Sequence, residues 1–175
     1  MKTILFLDFD GVLHPTVRGE PVFCRLPLLW KILRAHPEVQ VVFSTAWRDD
    51  YAPDIMLDFV TSGGGEDLAH RFIGRTPYLE VEGKYGQRLL EIQKWLDANN
   101  HNGPWLAIDD MVELFSGGHP NLYVVDGEHG LTDADVTAII GRVQHSSKPR
   151  YLLEDDLIAQ CDINAPPPKD TTGFV

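Results

Sequence analysis

Residues 3–13 read TILFLDFDGVL, and this stretch decides the fold. A continuous apolar run of this length predicts a strand that is buried on both faces, as in a parallel sheet. Asp8 and Asp10 end the run, and the alternation of side chains along a strand puts both on the same side. Because an unpaired carboxylate is costly to bury, we expect both acids at the carboxyl end of the strand, where open α/β sheets bind ligands.

Asp10 and Gly11 alone have a simpler explanation, since Asp-Gly is a common turn after a strand and glycine lets the chain turn sharply. The pair of Asp8 and Asp10 needs more than a turn. Two carboxylates at one edge repel each other unless a cation or a shared proton relieves them. Mg²⁺ suits an all-oxygen site of this kind. The stretch therefore favours a magnesium site at the end of a buried strand.

The composition is that of an ordinary globular protein. The chain has 175 residues, 43% hydrophobic and 23% charged, which is enough for one domain with a sizeable core. A net charge of −11 argues against non-specific binding to nucleic acid or to an anionic membrane, but it does not exclude a local basic patch. Cys24 and Cys161 suggest neither a disulfide framework nor a zinc site, so we expect a reducing, cytoplasmic setting. We expect no signal peptide and no membrane span.

Strands and helices alternate along the sequence, which predicts an α/β fold with a central parallel sheet and helices on both faces. After the first strand, the predicted strands cover residues 39–45, 68–73, 105–110 and 122–125. The predicted helices cover residues 26–35, 50–60 and 86–98, and a fourth opens with Thr132 as its N-cap. In the helix at 86–98, the side chains expected to face inward are Leu89, Leu90, Ile92, Trp95 and Leu96.

Three of the predicted strands end in reactive polar groups, namely Asp8 with Asp10, Ser44 with Thr45, and Asp109 with Asp110. Lys84 lies between the second and third groups. Because the carboxyl ends of parallel strands gather at one edge, we expect these groups to converge. Taken singly, each has an ordinary explanation: Thr45 as a helix cap, Asp109-Asp110 as a turn, and Lys84 as a solvated surface lysine.

Taken together and in this order, the groups resemble the four motifs of the haloacid dehalogenase (HAD) superfamily of phosphotransferases. The resemblance spans about residues 3–126, and the strand followed by DFDGVL and the later IDD are its specific parts. The sequences DGVLHP, STAWR and IDD look like small bacterial HAD proteins and like the HAD domain of RNA-repair fusion proteins. The resemblance implies a three-layer α/β/α Rossmann-like fold with Mg²⁺ as the cofactor. The catalytic domain would be residues 1–146, and 147–175 a C-terminal extension with one helix and a proline-rich tail.

The resemblance also implies a role for each position. Asp8 would be the nucleophile that forms an aspartyl-phosphate, and Asp10 the general acid and then the base that activates water. Lys84 would neutralise the phosphoryl group and the Asp8 carboxylate. The Mg²⁺ ligands would be Asp110, Asp8 and the backbone carbonyl of Asp10, with Asp109 in support.

The positions after the second predicted strand would bind the phosphoryl group and the substrate; they are Ser44, Thr45, Ala46, Trp47 and Arg48. Thr45 would be the catalytic hydroxyl that bonds a phosphoryl oxygen, and Ser44 is its rival for this role. Trp47 and Arg48 have two interpretations. They contact a substrate group, or Trp47 serves as packing and Arg48 as the partner of a nearby carboxylate.

Two classes of function follow from the resemblance. The first is a Mg²⁺-dependent phosphohydrolase with a phosphorylated substrate, and the second is a non-catalytic protein that binds a phosphorylated ligand. Asp8 and Asp10 favour the enzyme, because binding a phosphate needs no second acid. A polynucleotide-end phosphatase is supported by the likeness to RNA-repair proteins and disfavoured by the net charge. Haloacid dehalogenation needs no metal and would leave Asp10 and Asp110 unexplained.

Access to the expected site is our last prediction from the sequence. No inserted cap domain fits between Asp10 and Thr45 or between Thr45 and Lys84. We therefore expect an open catalytic mouth, covered only by a flap at residues 15–23 or by a second copy of the chain in a homo-oligomer. Such a mouth excludes water poorly on its own, which favours a bulky phosphorylated partner or an oligomer that supplies the lid.

Overall fold

The predicted first strand lies at the centre of a five-stranded sheet. The computed structural model describes residues 2–80 and 82–145. The strands are β1 at Ile4–Leu7, β2 at Gln40–Phe43, β3 at Phe72–Arg75, β4 at Trp105–Asp109 and β5 at Leu122–Val124. Their order in the sheet is β3-β2-β1-β4-β5, and every neighbouring pair is parallel. The predicted α/β class with a central parallel sheet is confirmed.

Helices cover both faces of this sheet. The α-helices are α1 at Leu26–Ala35, α2 at Pro53–Thr61, α3 at Gln87–Ala98 and α4 at Asp133–His145. Short 3₁₀ helices are found at Ala46–Asp49, Glu66–Arg71 and Val112–Phe115. Residues of α1, α2 and α4 form one core cluster with Leu5 and Leu7 of β1, whereas α3 packs against Ile4 and Phe6 on the opposite face. The three-layer arrangement follows from this alternation of buried side chains.

The register of the central strands brings their carboxyl ends to one edge. Leu7 pairs with Phe43 of β2 and with Ile108 of β4. The Asp8 amide then donates to the Ile108 carbonyl oxygen at 3.1 Å, and the Ser44 amide donates to the Leu7 carbonyl oxygen at 2.8 Å. Asp8, Ser44 and Asp109 therefore stand at the same edge, as the parallel topology requires.

Local sequence accounts for the helix ends that were predicted best. Helix α1 has a proline in its first turn and ends at Ala35, two residues before Pro37. Helix α4 begins after Thr132, whose hydroxyl accepts from the Asp135 amide at 3.3 Å, while the Asp135 carboxylate accepts from the Thr132 amide at 2.8 Å. The predicted N-cap at Thr132 is confirmed as a reciprocal cap.

The predicted strand at residues 68–73 is wrong over most of its length. Residues 66–71 form a 3₁₀ helix, and β3 begins only at Phe72. The cause is Arg71, a buried side chain whose guanidinium donates to the carbonyl oxygens of Leu33, His36 and Val39. These carbonyls lie in the last turn of α1 and in the segment that leads from it to β2, where few of them are bonded within regular structure. Arg71 therefore anchors the segment in a non-extended conformation.

Two further boundaries differ from the sequence prediction. The helix expected at residues 50–60 begins at Pro53, because the preceding residues 46–49 turn as a 3₁₀ helix instead. In α3, Ile92, Trp95 and Leu96 face inward as predicted, but Leu90 is 50% exposed. The buried side chains in the first turns of α3 are charged or polar, because this end of the helix reaches the carboxyl edge of the sheet.

No inserted domain covers the site within the described residues. Between β1 and β2 the only described helix or strand is α1, and between β2 and α3 the described elements are α2, two 3₁₀ helices and β3. The expected absence of a sizeable cap agrees with this arrangement. No helix in the described part of the chain is long and apolar enough to cross a membrane. The predicted C-terminal helix and proline-rich tail of the extension at 147–175 lie outside the described residues, and the domain boundary at 146 stays a prediction.

Candidate active site

Three carboxylates meet at the carboxyl edge of the sheet. Asp8 follows β1 directly, and its Oδ1 accepts from the Phe9 amide at 2.8 Å. Asp109 ends β4, and its Oδ1 accepts from the Met111 amide at 2.9 Å. One oxygen from each of Asp8, Asp109 and Asp110 lies within 4.8 Å of the others. Of the first predicted group Asp8 alone converges with Asp109 and Asp110 of the last.

The cation beside these carboxylates is Arg88, not the predicted Lys84. Arg88 lies in the first turn of α3 and is buried, with its Nη1 at 3.3 Å from Asp8 Oδ1 and 3.1 Å from Asp109 Oδ2. Lys84 is exposed in the preceding loop, at a backbone φ of 60°. Among the described residues, no ion pair joins it to Asp8. The cation that contacts Asp8 therefore comes from the first turn of α3 and not from the loop, and the role predicted for Lys84 toward the phosphoryl group stays a prediction.

The electrostatics of the cluster reflect burial and mutual repulsion. Burial raises the pKa of Asp8, although Arg88 and a hydrogen bond from Phe9 oppose the shift. Burial and the charge of Asp8 raise the pKa of Asp109 to about 8 and that of Asp110 to about 6. Three acids with one arginine hold an excess of negative charge that protons relieve in the free protein. An all-oxygen donor set with this excess fits a hard divalent cation such as Mg²⁺.

Asp110 is held between two glycines. A Cβ atom on Gly11 would lie 2.3 Å from Asp110 Oδ2, and one on Gly127 would lie 2.4 Å from the same oxygen. Gly11 also has a φ of 66°, so the sharp turn predicted after Asp10 is present. Any side chain at either glycine would therefore displace the Asp110 carboxylate from the cluster.

Asp10 stands apart from the buried cluster. Its side chain is 54% exposed and lies outside the group of three carboxylates that converge among the described residues. Its Oδ1 lies 3.0 Å from His14 Nε2, and its Oδ2 accepts from Trp47 Nε1 at 2.8 Å. The hydrogen bond with His14, with a further contribution from Trp47, lowers the pKa of Asp10. The expected metal contact through the Asp10 backbone carbonyl stays a prediction.

The two hydroxyls after β2 differ in their contacts. Thr45 is fully buried, and its side chain lies near enough to Asp8 to lower the pKa of that carboxyl. Thr45 Oγ1 also accepts from the Trp47 amide at 3.4 Å, which caps the 3₁₀ helix at residues 46–49. The ordinary expectation of a helix cap and the contact with Asp8 are thus both observed. Ser44 Oγ is buried and has no hydrogen-bond partner within the described residues, so Thr45 is the hydroxyl that contacts the candidate nucleophile.

The remaining predicted substrate-binding residues, Ala46, Trp47 and Arg48, differ in their burial and in their contacts. Arg48 is buried, its Nη2 lies 2.7 Å from Glu91 Oε2, and its Nη1 donates to the Thr45 carbonyl oxygen at 2.9 Å. Arg48 is therefore the partner of a carboxylate, and the substrate contact expected for it is not supported. Trp47 packs in a cluster of aromatic rings and also donates to Asp10. Ala46 is exposed at the start of the 3₁₀ helix.

Sequence reasoning missed three residues of this site. Arg88 and Glu91 are charged residues that share the inner face of α3 with apolar ones, and charge at such positions was the signal that could have identified them. His14 stands four positions after Asp10, but its contact depends on the turn at Gly11, which brings residues 10 and 14 into a backbone bridge. No periodicity in the sequence predicts that contact.

Comparison with known proteins places the site in a family. A family model described as the HAD domain in Swiss Army Knife RNA repair proteins matches residues 4–136. The matched segment contains the three clustered aspartates, Arg88 and Asp10. No curated protein and no solved structure matches the chain.

Proposed function

Because the chain belongs to the family of HAD domains found in Swiss Army Knife RNA repair proteins, we propose that it is a Mg²⁺-dependent phosphohydrolase acting through an aspartyl-phosphate. The observation that carries the proposal is the environment of Asp8. A buried carboxylate stands at the carboxyl end of the central strand, beside two further acids and a guanidinium that contacts both Asp8 and Asp109. That combination suits a carboxylate that attacks phosphorus, because the negative charges of the carboxylate and of the phosphoryl group must be neutralised during the reaction.

In the first half-reaction, a carboxylate oxygen of Asp8 attacks the phosphorus atom. The bond between phosphorus and the leaving oxygen breaks, and the leaving oxygen takes a proton from the Asp10 carboxyl group. Arg88 neutralises the charge shared by Asp8 and the phosphoryl group, and the Thr45 hydroxyl turns toward a phosphoryl oxygen. The products of this step are the dephosphorylated alcohol and the Asp8 aspartyl-phosphate.

In the second half-reaction, Asp10 is a carboxylate and takes a proton from water. The water oxygen attacks phosphorus, the bond between phosphorus and the Asp8 oxygen breaks, and inorganic phosphate leaves with Asp8 restored. Asp8, Asp110 and Asp109 would hold Mg²⁺, because they are the carboxylates whose oxygens converge. When bound, the ion supplies charge neutralisation at the phosphoryl oxygens.

A phosphorylated polynucleotide end is the substrate class that two observations support. The matching family model is described as a HAD domain of RNA repair proteins. In the described part of the chain, no inserted domain covers the carboxyl edge of the sheet. An open edge admits a long polymer more readily than a capped one. The net charge of −11 opposes attraction to a polyanion, so such a substrate would need local positive charge. A small phosphometabolite closed in by a second copy of the chain is the competing proposal.

The experiment measures phosphate release from a generic aryl phosphate with and without Mg²⁺, and then from a panel of phosphometabolites and phosphorylated oligonucleotide ends. We expect Mg²⁺-dependent turnover, with the oligonucleotide ends preferred. Preference for one small ester by a protein that stays monomeric in sedimentation would refute the polynucleotide proposal. Binding of phosphorylated ligands without turnover of any substrate would instead support the non-catalytic alternative.

Trapping the intermediate tests the covalent route separately. Asp10→Asn should slow turnover by about 10²–10⁴-fold, because the general acid and base is lost. Rapid quenching with a ³²P-labelled substrate should then show a phosphorylated Asp8, since its hydrolysis becomes slow. Active protein in which Asp8 is never labelled, in the wild type or in the variant, would contradict the aspartyl-phosphate.

A further inference from the structure

The half-exposed Asp10 carboxylate is held at both of its oxygens. Oδ1 lies 3.0 Å from His14 Nε2, and Oδ2 accepts from Trp47 Nε1 at 2.8 Å. An aspartate in a loop with half of its side chain in solvent ordinarily moves among staggered rotamers. Two hydrogen-bond partners from different parts of the chain select one orientation. We call His14 and Trp47 the Asp10 clamp.

The clamp residues are themselves fixed by packing. His14 is only 8% exposed, and its ring meets the Phe23 ring at 5.5 Å between centroids. The Trp47 ring packs against Phe9 at 5.7 Å and against Phe59 at 5.9 Å. Edge-on contacts of this kind stabilise one ring orientation. The clamp therefore has little freedom to follow the carboxylate if the carboxylate turns.

We propose that His14 and Trp47 are positioning residues, which hold Asp10 in the one orientation that lets it exchange protons with the leaving oxygen and with water. This inference rests on the proposed phosphohydrolase function. Proton transfer requires the carboxyl oxygen within hydrogen-bond reach of the reacting atom, so a freely turning side chain would lose part of its effect. An indole N–H can only donate, so Trp47 orients Asp10 without ever accepting the proton intended for the substrate.

Leaving-group chemistry separates positioning from a general structural role. An alkyl phosphate has a poor leaving group, and its departure needs the proton from Asp10. A 2,4-dinitrophenyl phosphate has a leaving group that departs without protonation. Loss of the clamp should therefore slow Asp8 phosphorylation by the alkyl ester and spare phosphorylation by the dinitrophenyl ester. A distorted site would slow both reactions.

The experiment measures the single-turnover rate of Asp8 phosphorylation by both esters. Trp47→Phe keeps an aromatic ring and removes the N–H, and His14→Leu removes the other hydrogen-bond partner. We expect each to lose about 10–100-fold with the alkyl ester, a part of the full general-acid effect, and less than about threefold with the dinitrophenyl ester. His14→Gln, whose amide reaches about as far as Nε2, should restore most of the rate. Trp30→Phe, which removes an indole N–H that donates to the Val60 carbonyl oxygen and not to Asp10, is the matched control and should affect both esters alike.

Three results would overturn the clamp. An equal loss with both esters would make His14 and Trp47 structural residues, and an unchanged rate with the alkyl ester would show that Asp10 needs no orientation. Wild-type protein that phosphorylates Asp8 with neither ester would overturn the proposed function and the clamp together. The first two results, obtained with active wild-type protein, overturn the clamp alone. If Trp47→Phe does not fold, His14→Leu and the rescue by His14→Gln decide the question.

Discussion

Asp8 and Asp10 are separated by one residue, but Asp8 is buried beside Arg88 whereas Asp10 stands half exposed between His14 and Trp47. Burial raises the pKa of Asp8, and hydrogen bonds, chiefly the one with His14, lower the pKa of Asp10. The turn at Gly11 separates the two surroundings. One short motif thus places two chemically equal side chains in opposite environments, one dominated by burial and the other by hydrogen bonds.

The largest expected effect comes from Asp8. Asp8→Asn keeps the shape and removes the nucleophile, so kcat/KM for an aryl phosphate should fall by at least about a thousandfold. Thermal melting should show a folded protein, because the amide still accepts from the Phe9 amide. Asp126→Asn, which changes an exposed acid in the loop after β5, is the control and should leave the rate unchanged. Near wild-type activity in Asp8→Asn would show that another residue attacks phosphorus.

The next effect distinguishes Arg88 from Lys84. Arg88→Gln should lower kcat by about a hundredfold, the range seen when a preorganised charge-stabilising group is removed. It should also lower the free energy of unfolding by about 3 kcal/mol, because Asp8 and Asp109 lose their buried cation. Lys84→Gln should change that free energy by less than about 0.5 kcal/mol. Urea denaturation and steady-state kinetics on both variants make the comparison. A greater loss of activity in Lys84→Gln would restore the role that the sequence predicted for Lys84.

A smaller effect concerns the metal. Asp110→Ala should weaken Mg²⁺ binding by at least about tenfold, and Asp109→Ala should weaken it less, since Asp109 also serves as a partner of Arg88. Titration calorimetry with Mg²⁺ alone measures this without any substrate. Ca²⁺ should support activity poorly, because it prefers more ligands at longer distances. The reverse order of the two variants would exchange the roles of Asp109 and Asp110.

The smallest effect is a pH dependence of stability without Mg²⁺. The folded-state pKa of Asp109, raised to about 8, lies above its unfolded value, so the folded protein binds a proton that the unfolded chain releases. That contribution is fully present below the unfolded pKa and is lost as the pH rises through about 8. We expect the free energy of unfolding to fall by at least about 1 kcal/mol between pH 5 and 9, which corresponds to less than one pKa unit.

The lowered pKa of Asp10 acts in the opposite direction. Its contribution to stability is present above the unfolded pKa and is lost as the pH falls through the folded value. Urea denaturation across the pH range in the wild type and in Asp109→Asn separates the two residues. The variant should show a smaller decline toward high pH, because Asp8 and Asp110 also have raised pKa values, and it should keep the decline toward low pH. A wild-type profile that stays flat between pH 5 and 9 would contradict the buried acid at Asp109.

Local patterns were enough to predict most of the fold and the buried part of the site. The apolar strands and the proline and threonine signals of α1 and α4 act within a few residues, and parallel topology then gathers the strand ends. Arg88 was missed because its contact depends on the rotation of α3 about its axis. Leu90 was placed on the wrong face for the same reason. The contacts of Trp47 with Asp10 and of Arg71 with the end of α1 join segments that are distant in sequence, and the contact of His14 depends on the turn at Gly11. No periodic pattern predicts any of these contacts.

The strand order has a consequence for the growing polypeptide. Strands β2 and β3 lie on one side of β1, and β4 and β5 lie on the other, so the N-terminal half of the sheet can assemble before β4 is synthesised. Until then β1 presents an open hydrogen-bonding edge of apolar residues, a surface that invites pairing with other chains. At that stage Asp109 and Asp110 have not yet been placed beside Asp8. Nascent chains should therefore need protection from aggregation, and they would gain the complete acidic cluster only when β4 docks.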